Sequence, residues 1–207
     1  MNISEKYTDW ATTYDIDLNR TRDLDERVTK NMLANLRFQS IIEIGCGTGK
    51  NTSLLTQIGK KVHAIDFSEG MMNKAKEKLQ LDNVTFTVAD ITKTWHCEDG
   101  CADLIACNLV LEHVENLLPI FSEAFRALVK RGRFFVCELH PFRQYEGTKA
   151  NFQRDQNAIE IQAFVHHISD FIEVAEINGL TLESLKEWWH EEDQNKPPRL
   201  VSFMFVK

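Results

Sequence analysis

Residues 41–52 read Ile-Ile-Glu-Ile-Gly-Cys-Gly-Thr-Gly-Lys-Asn-Thr. Ile41, Ile42 and Ile44 form an apolar run carrying one acid, Glu43, and glycines follow at the alternate positions 45, 47 and 49. This reads as a buried strand, a turn with little side-chain bulk and the start of a helix. Glycine serves where the backbone takes a positive φ or must approach a ligand closely. A helix N-terminus beside such a turn offers free N–H groups to a ligand's polar end. The chain is therefore read outward from a ligand-binding strand–turn–helix unit.

Downstream, strands and helices alternate. A helix near 49–57 leads to a second strand ending in Asp66. Ser68 is a plausible N-cap for a helix through about Leu79, with Met72, Ala75 and Leu79 inward. Residues 83–92 give a third strand ending at Asp90, 91–101 a loop, and 103–107 a fourth strand. Leu117, Ile120, Phe121, Ala124, Phe125 and Leu128 keep a helical period, ended by Lys130-Arg131-Gly132. A fifth strand closes near Leu139. Residues 140–167 have no strong period until a segment at 159–167 that could be extended. A helix over 170–178, a strand at 180–189 and a last strand at 199–206 that is apolar on nearly both faces complete the chain.

Upstream, Tyr7, Trp10, Ala11 and Tyr14 share one face of a helix over 4–15, and Asp23-x-x-Glu26 resembles the capping box of a second helix. This alternation predicts a single three-layer α/β domain with a mainly parallel sheet. About ten residues join the last two strands. That is too short for a crossover helix, so they form an antiparallel hairpin.

Composition excludes several classes. The 207 residues suit one domain, and no run of 18 apolar residues suggests a membrane span. The polar N-terminus lacks a signal-peptide core, so a cytoplasmic protein is expected. Five cysteines, an odd number, argue for reduced thiols. His96, Cys97 and Cys101 lack a second ligand pair at zinc spacing, so no metal is expected. A net charge of −7 without a basic cluster disfavours nucleic acid.

In doubly wound sheets, ligands sit at the carboxyl ends of the strands. Those ends present Gly45, Gly47 and Gly49, then Asp66, Asp90 and Asn108. A carboxylate about 20 residues past the glycine turn is placed to accept hydrogen bonds from a ribose. Phe67, Met71, Met72 and Ile91 suit a flat base. Two adenosine cofactors compete. The dinucleotide fingerprint needs G-x-G-x-x-G, whereas position 50 is lysine and the glycines run G-x-G-x-G.

The order E-x-G-x-G-x-G with Asp66 and Asp90 resembles the class I S-adenosylmethionine-dependent methyltransferases. So do the terminal hairpin, the Tyr7–Asp15 opening (Tyr-x-x-Trp-Ala-x-x-Tyr-Asp) and Leu111-Glu112-His113. The nearest branch is the small-molecule group (methyltransferase type 11/25-like). The resemblance implies a Rossmann-like fold with a seven-stranded sheet in the order 3-2-1-4-5-7-6, its last strand antiparallel, under an N-terminal helical lid. It divides the domain into lid helices at 1–37, a cofactor-binding core at 38–139, and a substrate-side segment with the hairpin at 140–207.

The resemblance also implies S-adenosyl-L-methionine as cofactor. It would be held by Tyr14, Arg22, Glu43, the three glycines, Asp66, Phe67, Met71, Asp90, Ile91 and Asn108. Arg22, with Arg20, would pair with the methionine carboxylate, and Asn108 would act through its backbone. Glu138, at the end of the fifth strand, is read as orienting a neighbour. Tyr7, Trp10, His113, Arg143, Tyr145 and His167 are candidate substrate contacts, and His140 is the candidate catalytic residue. The expected reaction is methyl transfer to oxygen or nitrogen of a small molecule by a monomer or homodimer. Alternatives are a malonyl-carrier-protein-type O-methyltransferase and a non-catalytic cofactor-binding regulatory protein.

Overall fold

A computed structural model describes residues 2–148, 150–154 and 157–207. The isoleucine run forms strand β1 (Phe38–Ile44), in which Ile41 and Ile44 are fully buried. Being apolar on both faces, it takes the interior position such strands require. Parallel neighbours flank it: β2 (Gly59–Asp66) on one side and β4 (Ala102–Asn108) on the other. Outside these lie β3 (Val84–Val88), parallel to β2, and β5 (Leu128–Leu139), parallel to β4.

Two four-residue strands, β6 (Asn151–Arg154) and β7 (Asn157–Glu160), pair with each other as a separate antiparallel sheet. The chain then supplies β8 (Thr181–Trp188) and β9 (Leu200–Val206). The last strand inserts antiparallel between β5 and β8. The main sheet is thus ordered β3-β2-β1-β4-β5-β9-β8. Its seven strands, counted within that sheet, follow the expected 3-2-1-4-5-7-6. The small hairpin is the addition that the sequence reading did not contain.

Helices α2 (Arg20–Leu33) and α3 (Thr52–Ile58) cover one face, where Leu24, Val28, Leu33 and Leu55 pack on Ile41, Leu104 and Phe135. Helices α5 (Leu118–Ala127) and α7 (Ile168–Ile177) cover the other, where Phe121 and Phe171 pack among Phe134, Phe203 and Phe205. Helix α4 (Glu69–Lys78) sets Met72 on Ala64 and Cys46. Helix α1 (Ile3–Trp10) lies against the start of α4. Its Thr8 hydroxyl is 2.9 Å from that of Ser68, and a Cβ on Gly70 would come within 2.8 Å of the Thr8 carbonyl oxygen.

Several boundaries differ from expectation for local reasons. The second helix starts at Arg20, because Asn19 Oδ1 accepts from the Thr21 and Arg22 amides. This frees Asp23 to pair with Lys50 at 3.1 Å. The helix after the glycine turn begins only at Thr52, since Gly45, Gly47 and Gly49 all have positive φ. Lys130-Arg131-Gly132 does not end a helix. The helix stops at Ala127, and these residues lie inside β5, where Arg131 has φ 68° and its amide donates to the Lys207 carbonyl. Strand β3 stops at Val88, leaving Asp90 in a turn where its Oδ1 accepts from Thr92.

Candidate functional site

The glycine turn is tied to β2 at both levels of the backbone. The Gly45 and Cys46 amides donate to the Ile65 carbonyl at 2.7 and 3.0 Å. Asp66 continues the link: Oδ2 accepts from the Gly47 amide at 2.9 Å and Oδ1 from the Ser68 amide at 2.8 Å. Each carboxylate oxygen has two lone pairs, so both retain capacity for a ligand hydroxyl. Burial pushes the Asp66 carboxyl above its usual range, and the Ser68 and Gly47 amides oppose that rise.

The glycines differ in purpose. A Cβ on Gly45 would meet Val110 Cγ2 at 2.0 Å, and one on Gly49 would meet Leu79 Cδ1 at 2.8 Å. Both positions answer to packing. Around a Gly47 Cβ there is no heavy atom within 4 Å, so that position faces open space. The space is a cleft of about 740 Å³ at the carboxyl ends of β1, β2 and β4. Its walls include Tyr7, Tyr14, Gly45, Gly47, Asp66, Phe67, Met71, Asp90, Ile91, Asn108 and His113.

A second cavity of about 450 Å³ adjoins the first and shares Tyr7, Tyr14 and Leu109 with it. Trp10, Asn19, Thr21, Arg22, Glu112, Leu139, Thr148 and Ala150 complete its wall. Tyr7 and His113 form a fixed pair at the junction. His113 Nδ1 is 2.8 Å from the Gln162 carbonyl oxygen, which can only accept. Nδ1 is therefore the protonated nitrogen, and Nε2 accepts from the Tyr7 hydroxyl at 2.7 Å. Burial lowers the His113 pKa and so favours this neutral form.

Other expected site residues lie elsewhere. Glu43 is behind the turn, where its Oε2 accepts from the Thr52 hydroxyl at 2.5 Å, and burial raises its carboxyl to about 8. Arg22 lines the second cavity. Its guanidinium donates to the Tyr14 and Asp17 carbonyls and stacks on the Tyr14 ring at 3.9 Å. The Asn108 side chain turns back to Asp25 at 2.6 Å and Thr29 at 2.9 Å, leaving its backbone toward the cleft. Trp10 lines only the second cavity, and its ring N–H donates to Asp17 at 2.7 Å.

The 140–167 candidates are the clearest departures. His140 is 1 % exposed and lines neither cavity. Its Nδ1 accepts from the Phe142 amide, which caps the short helix α6 (Pro141–Tyr145), and Nε2 donates to Glu187 at 2.9 Å. Both nitrogens have partners, so His140 is a capping residue here. Arg143 is buried against Asp193, with Nη2 and Oδ1 3.0 Å apart. Burial would raise the Asp193 carboxyl, but hydrogen bonds from Arg199 and the His190 amide, with the Arg199 and Arg143 charges, bring it to about 2. Tyr145 is exposed and bonds His167, which caps α7.

Glu112, Leu109, Val110 and Leu139 line the cavities but were not singled out as site residues. Leu109 reaches its position through a φ of 55°, for which a leucine gives no signal. The turn is held by Glu138, whose Oε1 accepts from the Val110 and Leu111 amides at 2.9 Å. This agrees with the expectation that Glu138 orients a neighbour.

Residues 42–136 match the family described as a methyltransferase domain. The biotin biosynthesis bifunctional protein BioHC of Teredinibacter turnerae is 27 % identical over 72 % of this chain and 27 % of its own length. A malonyl-[acyl-carrier protein] O-methyltransferase of Bacillus cereus is 26 % identical over 73 % of this chain. The match spans 57 % of that relative's length. A solved S-adenosylmethionine-dependent methyltransferase from Mesorhizobium loti superposes with TM-score 0.73 at 17 % identity, over 87 % of this chain and 96 % of its own.

Proposed function

We propose that the chain is a class I S-adenosyl-L-methionine-dependent methyltransferase, a reading supported by the methyltransferase-domain match over residues 42–136, and that it moves the cofactor's methyl group to an oxygen or nitrogen of a small molecule. When bound, the cofactor supplies a methyl activated on a sulfonium. The observation that carries this reading is the pair of adjoining cavities that meet at Tyr7, Tyr14 and Leu109. One has the walls for an adenosine, and the other opens beside it for an acceptor.

The residues present fit the cofactor. Gly47 leaves unfilled space beside its backbone. Asp66 keeps lone pairs for the ribose diol. Phe67, Met71 and Ile91 offer apolar faces for the adenine, with Asp90 at its rim. The Asn108 backbone faces the amino-acid end. Helix α1 and the turn after it, within residues 1–37, act as the lid through Tyr7 and Tyr14. The 38–139 core holds the cofactor, and Leu139 and Thr148 begin the acceptor side.

An in-line displacement needs its reactants held in line in a dry pocket, and such positioning supplies on the order of 7–11 kcal/mol of the barrier. The neutral Tyr7–His113 pair stands at the junction, where it can orient the acceptor or take its proton. The free thiols fit a reducing compartment such as the cytoplasm. Among the described residues, no helix is long and apolar enough to cross a membrane.

Calorimetry with S-adenosylhomocysteine, followed by its release assayed across a metabolite library, tests the proposal. Binding plus turnover supports it. Stabilisation by NAD but not by S-adenosylhomocysteine would sink it. Turnover confined to a malonyl group on a carrier protein would select the activity named for the Bacillus cereus relative instead.

A further inference from the structure

The second cavity contains a buried carboxylate with one oxygen left unmatched. Glu112 sits in the single turn Leu111–His113 and is 8 % exposed. Its backbone is fixed, since its carbonyl accepts from the Phe164 amide at 2.7 Å. Its carboxylate Oε1 stands 3.8 Å from His113 Nε2, too far for a hydrogen bond, and that nitrogen already accepts from Tyr7. Its Oε2 is buried and has no hydrogen-bond partner among the described residues. A buried carboxylate oxygen left unpaired is costly. A group that lines a cavity and lacks a partner is matched by a donor brought in by the cavity's occupant.

The same wall shows which donor. Arg22, the basic group of this cavity, spends its guanidinium on the Tyr14 and Asp17 carbonyls and on the Tyr14 ring face. An anionic acceptor group would have to displace those bonds. Glu112 is available without rearrangement. Tyr7, Trp10, Tyr14, Leu109, Leu139 and Ala150 give the wall an aromatic and apolar part that suits the body of a small organic molecule, and Asn19, Thr21 and Thr148 add neutral polar groups.

We propose that the second cavity selects a nitrogen acceptor, a small amine whose N–H donates to Glu112 Oε2 while its apolar part lies against the aromatic wall. This rests on the methyltransferase reading and narrows it from oxygen or nitrogen to nitrogen. Burial raises the Glu112 carboxyl to about 7, with Gln144 opposing the rise. At neutral pH it can therefore take a proton from an ammonium. The N–H bond breaks, the O–H bond forms, and the electron pair stays on nitrogen.

Matched probes on the full chain test this: benzylamine, benzyl alcohol and benzoate, titrated with and without saturating S-adenosylhomocysteine. The expected result is that benzylamine binds at least 10-fold tighter than the other two, and that Glu112→Gln removes the preference while S-adenosylhomocysteine affinity stays the same. Tighter binding of benzoate, equal binding of the three, no binding of any, or an amine preference that survives Glu112→Gln would overturn it. The wild-type comparison stands even if the variant fails to fold. Loss of S-adenosylhomocysteine binding in wild type breaks the cofactor reading separately, and the titrations without it still judge the amine site.

Discussion

The two cavities share three residues and are built in different ways. The cleft beside the glycine turn is assembled from strand ends at 45–47, 66–71, 89–92 and 108–110, together with Tyr7, Tyr14, His113 and Val114. Its main polar contacts are backbone amides and one carboxylate, Asp66. The second cavity draws on residues 7–22, 109–112 and 139–150, segments far apart in the sequence. Backbone amides and glycine geometry build the first. Side chains from separate segments make the second, so that is where a substrate can be specified without altering the first.

The comparison breaks most sharply at Gly47. Gly47→Val places a β-branched side chain at φ 53° and into the open cleft. Calorimetry should show S-adenosylhomocysteine affinity falling by about 100-fold or more (on the order of 3 kcal/mol). Retained affinity would mean that the ligand does not pass this point.

Asp66→Ala removes the acceptor of two backbone amides and of the proposed ribose contact. Affinity should drop by about 10- to 100-fold, and stability by about 1–3 kcal/mol for the unpaired amides. A stability loss with unchanged affinity would make Asp66 a turn residue alone.

Glu43 sharpens the contrast through pH. Its folded pKa, about 8, lies above the unfolded value. The folded state therefore holds the extra proton between roughly pH 4.5 and 8, and stability falls as pH rises through that window. Glu43→Gln keeps an acceptor for Thr52 and carries no charge. Denaturant melts should find it more stable than wild type at pH 8, by roughly 3–5 kcal/mol, with a gap under about 1 kcal/mol by pH 5. A gap of the same size at both pH values would contradict the burial argument.

The smallest effect is expected at His140. Replacing it with alanine removes a helix cap and the Glu187 partner, so stability should fall by about 1 kcal/mol. S-adenosylhomocysteine affinity should hold, as should turnover of any acceptor found. A specific loss of turnover at full stability would restore the catalytic role first read from its place after the fifth strand.

His140 and Gly49 show why part of the site could not be read in advance. Both lie at the correct end of the sheet, yet His140 caps a helix and Gly49 gives way to Leu79. Strand ends can be located from hydrophobic period and turn chemistry. The direction a side chain takes after the strand depends on which distant segment packs there. Arg143 and Tyr145 follow the same rule, drawn off to Asp193 and His167. The β6–β7 pair has weak period for a related reason, since it lies outside the main sheet and its core.

The amino-acid order determined the sheet, its parallel core and the antiparallel last strand. It also placed Gly45, Gly47, Asp66, Asp90 and Asn108 at one end of the sheet, where they line one cleft. These rest on local period, short connections and glycine backbone freedom, which act within a few tens of residues. Tertiary structure alone decided that Glu112 keeps one carboxylate oxygen without a partner, that Arg22 is spent on the N-terminal segment, and that the polar run after Leu139 faces away from the cleft. Such outcomes depend on which long-range partner satisfies each buried polar group, and that competition is settled only when the chain closes on itself.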